Sequence, residues 1–227
     1  MTFHFDYFPY IAIIGDIVGS RRLKDRQAVQ ARFEKVLDAV SSNYETDLAS
    51  KFMITLGDEF QGLLKAGSQT MSIIDRIERE MHPVKVRFGI GVGKITTAIH
   101  FEMPLGADGP AYYNARAMIN EIKASESRKM APRTNVQISI QDHPEHSEVL
   151  NTIFSLLTVI KERWTPRQLE IINAYLQSGT QEKAAEKLNV RQENVQKSLS
   201  AANFYTYWQT LEFISKVLSE LGGDADV

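Results

Sequence analysis

Residues 10–21 of the chain read YIAIIGDIVGSR, a short apolar run that ends in a carboxylate and a glycine-containing turn. An isoleucine-rich run of this length, bounded by glycine, predicts a buried β-strand rather than a helix. Asp16 follows the run directly. An ionised carboxylate in such surroundings costs free energy unless it is paired or bound to a metal. The sequence therefore predicts that Asp16 has a partner.

A candidate partner lies in residues 54–62, which read ITLGDEFQG. Two short apolar segments flank a Gly-Asp pair there, a pattern typical of a tight β-hairpin. The turn would hold Asp58. The simpler interpretation is that Asp58 is only a turn residue and Asp16 only a helix N-cap.

Composition limits the class of protein. The 227 residues, with 43% hydrophobic and 24% charged side chains, are typical of a globular protein with a main domain and an appendage. No apolar run approaches the roughly 20 residues that span a bilayer, and the first residues do not resemble a signal peptide, so we expect a cytoplasmic protein without a membrane partner. The chain has no cysteine and a net charge of −2. Any metal would need oxygen or imidazole ligands.

Hydrophobic periodicity predicts the order of the elements. Apolar residues at spacings of three and four predict helices over residues 24–40 and 70–81, and residues 84–93 alternate as a strand. With the hairpin, the order is β-α-β-β-α-β. This order predicts an α+β fold: a ferredoxin-like, palm-like antiparallel sheet with helices on one face. The first strand would then lie antiparallel to the third, which brings Asp16 close to Asp58.

Two neighbouring carboxylates repel each other unless a cation lies between them. Oxygen ligands favour Mg²⁺ or Mn²⁺, and Mg²⁺ is commonly held by one or two carboxylates together with substrate phosphates. The pair of Asp16 and Asp58 therefore predicts a nucleotide ligand.

Three segments resemble known nucleotide enzymes. Residues 15–19 (GDIVG) and 56–60 (LGDEF) resemble the two metal-binding segments of class III nucleotidyl cyclases, and the second also resembles the signature hairpin of diguanylate cyclases. Residues 87–93 (RFGIGVG) resemble the glycine-bearing strand that follows in both. With the GDIVGSR opening and the C-terminal segment, the whole chain resembles the SatD family of bacterial proteins.

The cyclase resemblance implies roles for particular residues. Asp16 and Asp58 would be the metal carboxylates, and the carbonyl of Ile17 a further ligand. Residues 19–22 would lie where cyclases hold a triphosphate, beside a helix N-terminus that suits anions. These phosphate-binding candidates are Gly19, Ser20, Arg21 and Arg22.

Residues 106–116 resemble the cyclase segment in which an Asn, and an Arg four residues later, face the nucleotide from the partner subunit. Here Asn114 and Arg116, the catalytic candidates, are two residues apart and do not share a helix face. If Arg116 takes the family's role, Tyr112 stands at the asparagine position; if Asn114 matches, Met118 replaces the arginine. The alternative is that this helix only packs on the sheet.

The C-terminal third predicts helices throughout. Thr165, Pro166 and Gln168 form a helix-start signal with a capping box, and Thr180 caps a helix over residues 181–188. A further helix over residues 191–201 completes a pattern that resembles the helix-turn-helix of sigma-factor-type regulators. Five residues would face the DNA major groove: Arg191, Gln192, Asn194, Lys197 and Ser198.

Charge leaves an alternative open for these helices. From Lys161 onward there are 8 Lys or Arg against 9 Asp or Glu, a net charge of −1, whereas DNA-binding domains usually carry a basic surface. Contact with another protein is therefore the other interpretation. The last helix, residues 204–221, has an apolar stripe that suits either a homodimer seam or docking on the first domain.

The sequence therefore predicts two domains, residues 1–145 with the cyclase-like sheet and residues 146–227 with an all-α helix-turn-helix. The favoured function is a regulatory protein that binds a nucleotide with Mg²⁺ or Mn²⁺ and, through the helix-turn-helix, DNA. The alternative is a metal-dependent cyclase-like enzyme acting on a nucleoside triphosphate. A third interpretation is an interaction module with a vestigial site.

Overall fold

A computed structural model describes residues 3–103, 105–128, 131 and 133–221. Its sheet contains β1 (Tyr10–Ile17), β2 (Leu48–Leu56), β3 (Glu59–Leu64), β4 (Val86–Gly93) and β5 (Val136–Ile140). The helices are α1 (Arg26–Asn43), α2 (Thr70–Met81), α3 (Pro110–Glu126), α4 (Pro144–Lys161), α5 (Pro166–Ser178), α6 (Gln181–Leu188), α7 (Gln192–Ala201) and α8 (Phe204–Ser219).

The sheet has the strand order β2-β3-β1-β4-β5. The predicted order β-α-β-β-α-β is confirmed through β4, and β1 lies antiparallel to both β3 and β4. The sheet is mixed rather than wholly antiparallel, because β5 pairs parallel to β4. This pairing follows from the connection between them, since α3 carries the chain back to the starting end of the sheet.

Helices cover both faces of this sheet, so the prediction of helices on one face is wrong. On one face, the ring of Phe33 from α1 meets the ring of Phe60 from β3 at 5.2 Å. On the other face, α3 packs on Ala12 and Ile14 of β1. The continuous apolar run of β1 is the physical reason, because a strand buried on both faces has no polar side to expose.

Two glycines of β4 allow α3 to lie directly on the sheet. A Cβ atom at Gly89 would stand 2.2 Å from the carbonyl oxygen of Ala115, and one at Gly91 would stand 2.0 Å from that of Ala111. Both obstructing atoms belong to the backbone of α3. The helix therefore approaches the strand more closely than any side chain at these positions would permit.

The predicted hairpin is confirmed. Leu56 pairs with Glu59, and the two residues between them form the turn. Gly57 has a φ of +66°, the left-handed conformation that favours glycine.

The chain divides into two compact units. One comprises the described residues up to Ser155 together with those from Ile214 onward, and the other comprises residues 156–213. The domain boundary expected between residues 145 and 146 stays a prediction.

The second unit has its own apolar core, built by α5, α6, α7 and the start of α8. The predicted capping box of α5 is confirmed, because Thr165 accepts from the backbone of Gln168, whose side chain accepts from the backbone of Thr165. Thr180 caps α6 as predicted. Among the described residues, no helix is both long enough and apolar enough to cross a membrane.

We expect Gly89→Ala to lower the free energy of unfolding by about 3 kcal/mol or more, because the new methyl group would meet backbone that no rotamer change can move. Urea unfolding followed by circular dichroism measures this effect. Asn120→Ala, at an exposed position of α3, is the control and should change stability by less than about 0.5 kcal/mol. An equally stable Gly89→Ala protein would contradict the close approach of α3.

Candidate functional site

Asp16 lies near the end of β1 and is 5% exposed. In the sheet it stands directly between Glu59 of β3 and Arg87 of β4. Paired residues on antiparallel strands present their side chains on the same face. Asp16, Glu59 and Arg87 therefore share the face that α3 covers.

Arg87 holds Asp16 from the neighbouring strand. Its Nη1 donates to both carboxylate oxygens of Asp16, at 3.1 and 3.3 Å. The remaining guanidinium nitrogens donate to Glu126 at the end of α3, with Nε–Oε1 at 2.8 Å and Nη2–Oε2 at 2.6 Å. The hydrogen bonds to Glu126, opposed by burial and assisted by those to Asp16, raise the pKa of Arg87 above its ordinary value.

A second cation reaches Asp16 from α3. The Nζ atom of Lys123 lies 2.6 Å from Oδ2 of Asp16. The side chain of Lys123 is 42% exposed, whereas that of Arg87 is only 11% exposed. The carboxylate of Asp16 is thus paired with one buried and one accessible cation.

The two catalytic candidates of α3 are engaged within their own chain. The side-chain amide of Asn114 donates to the carbonyl of Val92 at 3.0 Å. Arg116 forms an ion pair with Glu59, the residue that stands opposite Asp16. Their side chains therefore contact different strands, as the spacing of two residues requires.

Tyr112, which stands at the asparagine position if Arg116 takes the family's arginine role, is buried in the apolar cluster between α3 and the sheet. Burial raises the pKa of its phenol. In the part of the chain that the structure describes, its hydroxyl has no hydrogen-bond partner. These surroundings favour a role for Tyr112 in packing α3 on the sheet.

The phosphate-binding candidates form the turn after β1. Gly19 has a φ of +66°, and residues 20–22 form a single turn of 3₁₀ helix in which Ser20 is buried while Arg21 and Arg22 are exposed. The N-terminus of α1, which follows, is already capped, because Asp25 accepts from the backbone of Ala28 at 3.0 Å. Arg21 and Arg22 are exposed groups that an anion can reach here.

The metal candidates Ile17 and Asp58 are neighbours, since the backbone of Ile17 donates to the carbonyl of Asp58 at 3.3 Å. At Asp16 the charges do not fit a divalent ion, because both carboxylate oxygens already accept from cationic groups. A metal ion at those oxygens would lie beside Arg87 and Lys123 and be repelled by both. No group of three or more His, Cys, Asp or Glu suited to a metal occurs among the described residues. The metal assignment of Asp16, Ile17 and Asp58 stays a prediction.

Sequence reasoning missed the actual partners of Asp16. It proposed Asp58 as a partner through a shared cation, which stays a prediction, and it did not foresee Arg87, placed by the strand register, or Lys123 of α3. One signal was present: Arg87 is the single charged residue of the strand VRFGIGVG, every position of which is buried. A lone charge in such a strand requires a counter-ion, and Asp16 is the matching charge in β1.

In the second unit, α7 carries the predicted DNA-facing residues on its accessible surface. Arg191, which precedes the helix, and Gln192, Asn194 and Lys197 are exposed, and Ser198 is partly exposed. Val195 and Leu199 point into the core. The DNA-facing role of these residues stays a prediction.

Fold and site together define an α+β protein with a charged cluster at one end of a five-stranded sheet. The chain belongs to the SatD family, whose sequence model matches residues 10–218. Among curated proteins no sequence match is found.

Solved structures with a similar fold include nucleotidyl cyclases. A bacterial light-regulated adenylyl cyclase matches with a TM-score of 0.45 and 13% identity over 58% of this chain and 76% of that chain. The guanylate cyclase domain of RhGC from Catenaria anguillulae, in complex with GTP, matches with a TM-score of 0.39 and 18% identity over 49% of this chain and 72% of that chain. The adenylyl cyclase CyaB from P. aeruginosa matches with a TM-score of 0.35 and 13% identity over 50% of this chain and 71% of that chain.

We expect Asp16→Asn to lower the free energy of unfolding by about 3 kcal/mol, because it leaves Arg87 and Lys123 without their buried counter-charge. Lys123→Met should cost less, within about 1 kcal/mol, since Lys123 is partly solvated and Arg87 still pairs with Asp16. Urea unfolding measures both effects.

Lys51→Met is the matched control, because Lys51 forms an ion pair of the same 2.6 Å length with the exposed Glu102. It should cost no more than about 1 kcal/mol. A loss in Asp16→Asn no larger than that of the control would contradict a buried, ion-paired Asp16.

Proposed function

We propose that this protein binds a nucleotide through its phosphates at the end of the sheet where Asp16 lies. The observation that carries the proposal is the pairing of a buried carboxylate with an accessible amine, Asp16 with Lys123. This amine can leave the carboxylate for a ligand without unfolding the strand or the helix.

The charge cluster is costly to the fold, which supports a functional role. Taking ionised groups out of water carries a large desolvation penalty, and an apolar pair of similar size is often as stable. Buried charges that contact partly exposed charges are common at binding and catalytic sites. Here three acids and three bases meet at one end of the sheet: Asp16, Glu59, Glu126, Arg87, Lys123 and Arg116.

The accessible cations are suited to phosphate. The side chains of Lys123 and Arg116 are 42% and 41% exposed, and Arg21 and Arg22 are exposed in the turn after β1. Hydrogen bonds from ammonium and guanidinium groups to phosphate oxygens are charge-assisted and strong. A polyphosphate brings more negative charge than one carboxylate, so it can compete with Asp16 and Glu59 for these groups.

A regulatory role follows from this exchange of partners. When Lys123 turns from Asp16 to a phosphate, α3 loses one of its ties to β1. A ligand shifts a conformational equilibrium by its difference in affinity for the two states, and this tie supplies such a difference. We propose that nucleotide occupancy thereby controls the activity of the protein.

Turnover of a bound nucleoside triphosphate is the alternative that the same site supports. It is favoured by the position of Arg116, partly exposed on Glu59 beside Asp16. Asn114 would have to leave the carbonyl of Val92 to act on a nucleotide. In this alternative Mg²⁺ or Mn²⁺, held by Asp16, Ile17 and Asp58, is the expected cofactor. The catalytic pair would come either from the same subunit, where Arg116 lies on Glu59, or from the partner subunit of a homodimer.

We expect ATP or GTP at millimolar concentration to raise the midpoint of thermal unfolding of the wild type by several degrees, because a ligand of the folded state stabilises it by mass action. Differential scanning fluorimetry measures the shift. Lys123→Met should lose most of it, since the proposed phosphate contact is gone.

Lys51→Met again serves as the control and should keep the full shift. The absence of a shift with every nucleotide, or an equal loss in both variants, would refute the proposed site. Chromatography of the incubated nucleotide decides the alternative, because a cyclic product would establish turnover.

The second candidate function is DNA binding by α7. The specific observation in its favour is that four of the five predicted groove-facing residues are exposed. Val195 and Leu199, which are four residues apart and face the core, are buried. Gln, Asn and Arg side chains can read base edges, and Lys can contact phosphates.

We expect Arg191→Gln and Lys197→Met together to weaken binding to a duplex of random sequence by about tenfold or more, and to lower the salt dependence by about two ion equivalents. Fluorescence anisotropy at several salt concentrations measures both quantities. Arg167→Gln, an exposed cation of α5 paired with Glu170, is the control. Undetectable binding, or equal weakening in the control, would leave protein contact as the interpretation of these helices.

A further inference from the structure

We infer that Asp16 is a positioning residue that, with Arg87 as its buried counter-ion, holds Lys123 for an anion, and that it does not bind a divalent cation. The protein supplies the positive charge at this site from its own side chains. The part of this inference that concerns the anion rests on the proposed function, and the part that concerns the cation does not.

The hydrogen-bonding capacity of Asp16 is the first step. Oδ1 accepts from Nη1 of Arg87 at 3.1 Å, and Oδ2 accepts from the same nitrogen at 3.3 Å and from Nζ of Lys123 at 2.6 Å. Both oxygens thus have cationic donors. These three contacts use three of the roughly four lone-pair positions of the carboxylate, so a metal ion at the remaining one would lie beside Arg87 and be repelled by it.

Displacement of Arg87 is prevented by its surroundings. Arg87 stands directly opposite Asp16 in the sheet, so strand pairing fixes its backbone beside the carboxylate. Its other two nitrogens are held by Glu126 in a bidentate pair. A guanidinium cannot lose its proton in a protein, so Arg87 stays a cation at every pH at which the chain is folded.

Displacement of Lys123 alone would not create a metal site. The ammonium group would remain tethered to α3 near the carboxylate, and Arg87 would still bond to both oxygens of Asp16. A divalent ion there would face two like charges. Mg²⁺ is usually held by one or two carboxylates together with phosphates. Without a phosphate, Asp58 in the hairpin turn would be the only carboxylate left to hold the ion.

The arrangement instead orients donors. Asp16 fixes the positions of two cationic groups. Lys123 can also bind a ligand, whereas the other nitrogens of Arg87 bind Glu126. Preorganised cations bind an incoming anion without the cost of assembling them. If the protein binds a nucleotide, we therefore expect binding to persist in the absence of a divalent metal.

The test uses Mn²⁺ alone on the full chain, without nucleotide. Mn²⁺ is paramagnetic and broadens the NMR signals of nuclei close to it, so the backbone amides of Asp16, Ile17 and Asp58 report its presence in the wild type. We expect these signals to remain sharp at stoichiometric Mn²⁺. Selective broadening of the Asp16 and Ile17 signals would overturn the inference.

A second measurement compares wild type with Asp16→Asn by the electron paramagnetic resonance of free Mn²⁺. The affinity for Mn²⁺ should differ by less than twofold between them. A loss of tenfold or more in the variant would assign the metal to Asp16 and overturn the inference. The NMR measurement needs no variant, so it decides the question even if Asp16→Asn fails to fold.

A third measurement separates this inference from the proposed function. Nucleotide affinity of the wild type is measured in excess EDTA and in Mg²⁺, and the two values should agree within about threefold. Binding that occurs only with Mg²⁺ would retain the nucleotide site and overturn the metal-free inference. Absence of nucleotide binding in both buffers would refute the proposed function, while the Mn²⁺ measurements would still decide the role of Asp16.

Discussion

The close packing of α3 on β4 determines where the charges of this protein meet. Two residues of a strand advance about 6.6 Å and four residues of an α-helix about 6 Å, so the two elements stay nearly in step. Ala111 accordingly lies over Gly91, and Ala115 over Gly89. Two residues before Gly89, the strand presents Arg87. The last turns of α3 therefore carry Lys123 and Glu126 over the end of β1, where Arg87 and Asp16 are buried.

Much of this architecture could be predicted from local sequence patterns, because each pattern has a local cause. Four apolar residues in succession predict a buried strand at β1, a Gly-Asp pair between two strand-like segments predicts the hairpin, and Thr165 and Thr180 are N-caps. The face of the sheet on which a helix packs has no such local cause. It depends on which residues of distant elements are small enough to permit contact, and the glycines of β4 were interpreted as a family signature rather than as the surface on which α3 packs.

Arg87 and Lys123 were missed as partners of Asp16 for a related reason. The choice of Asp58 needed only the hairpin pattern, whereas Arg87 lies 71 residues from Asp16 along the chain and Lys123 lies still farther. A hairpin restricts its register through a turn of two residues, but the pairing of β1 with β4 is fixed only once the whole sheet has formed. The sequence did show that one buried strand contains a single arginine. That arginine requires a carboxylate, and the carboxylate of β1 requires a cation, so the two requirements are met together.

The charges of the cluster also restrict the kind of ligand that can enter it. Any anion that takes Lys123 must replace a carboxylate at 2.6 Å, and any anion that takes Arg116 must replace Glu59. An anion carrying one charge gains little from such an exchange, because it offers the amine no more than Asp16 already does. A polyphosphate carries several charges and can engage Lys123 while it also meets the exposed arginines of the turn after β1. The internal pairing therefore disfavours simple carboxylates and favours polyphosphates, and this selectivity would be lost if Asp16 were already bound to a metal and Lys123 stood free.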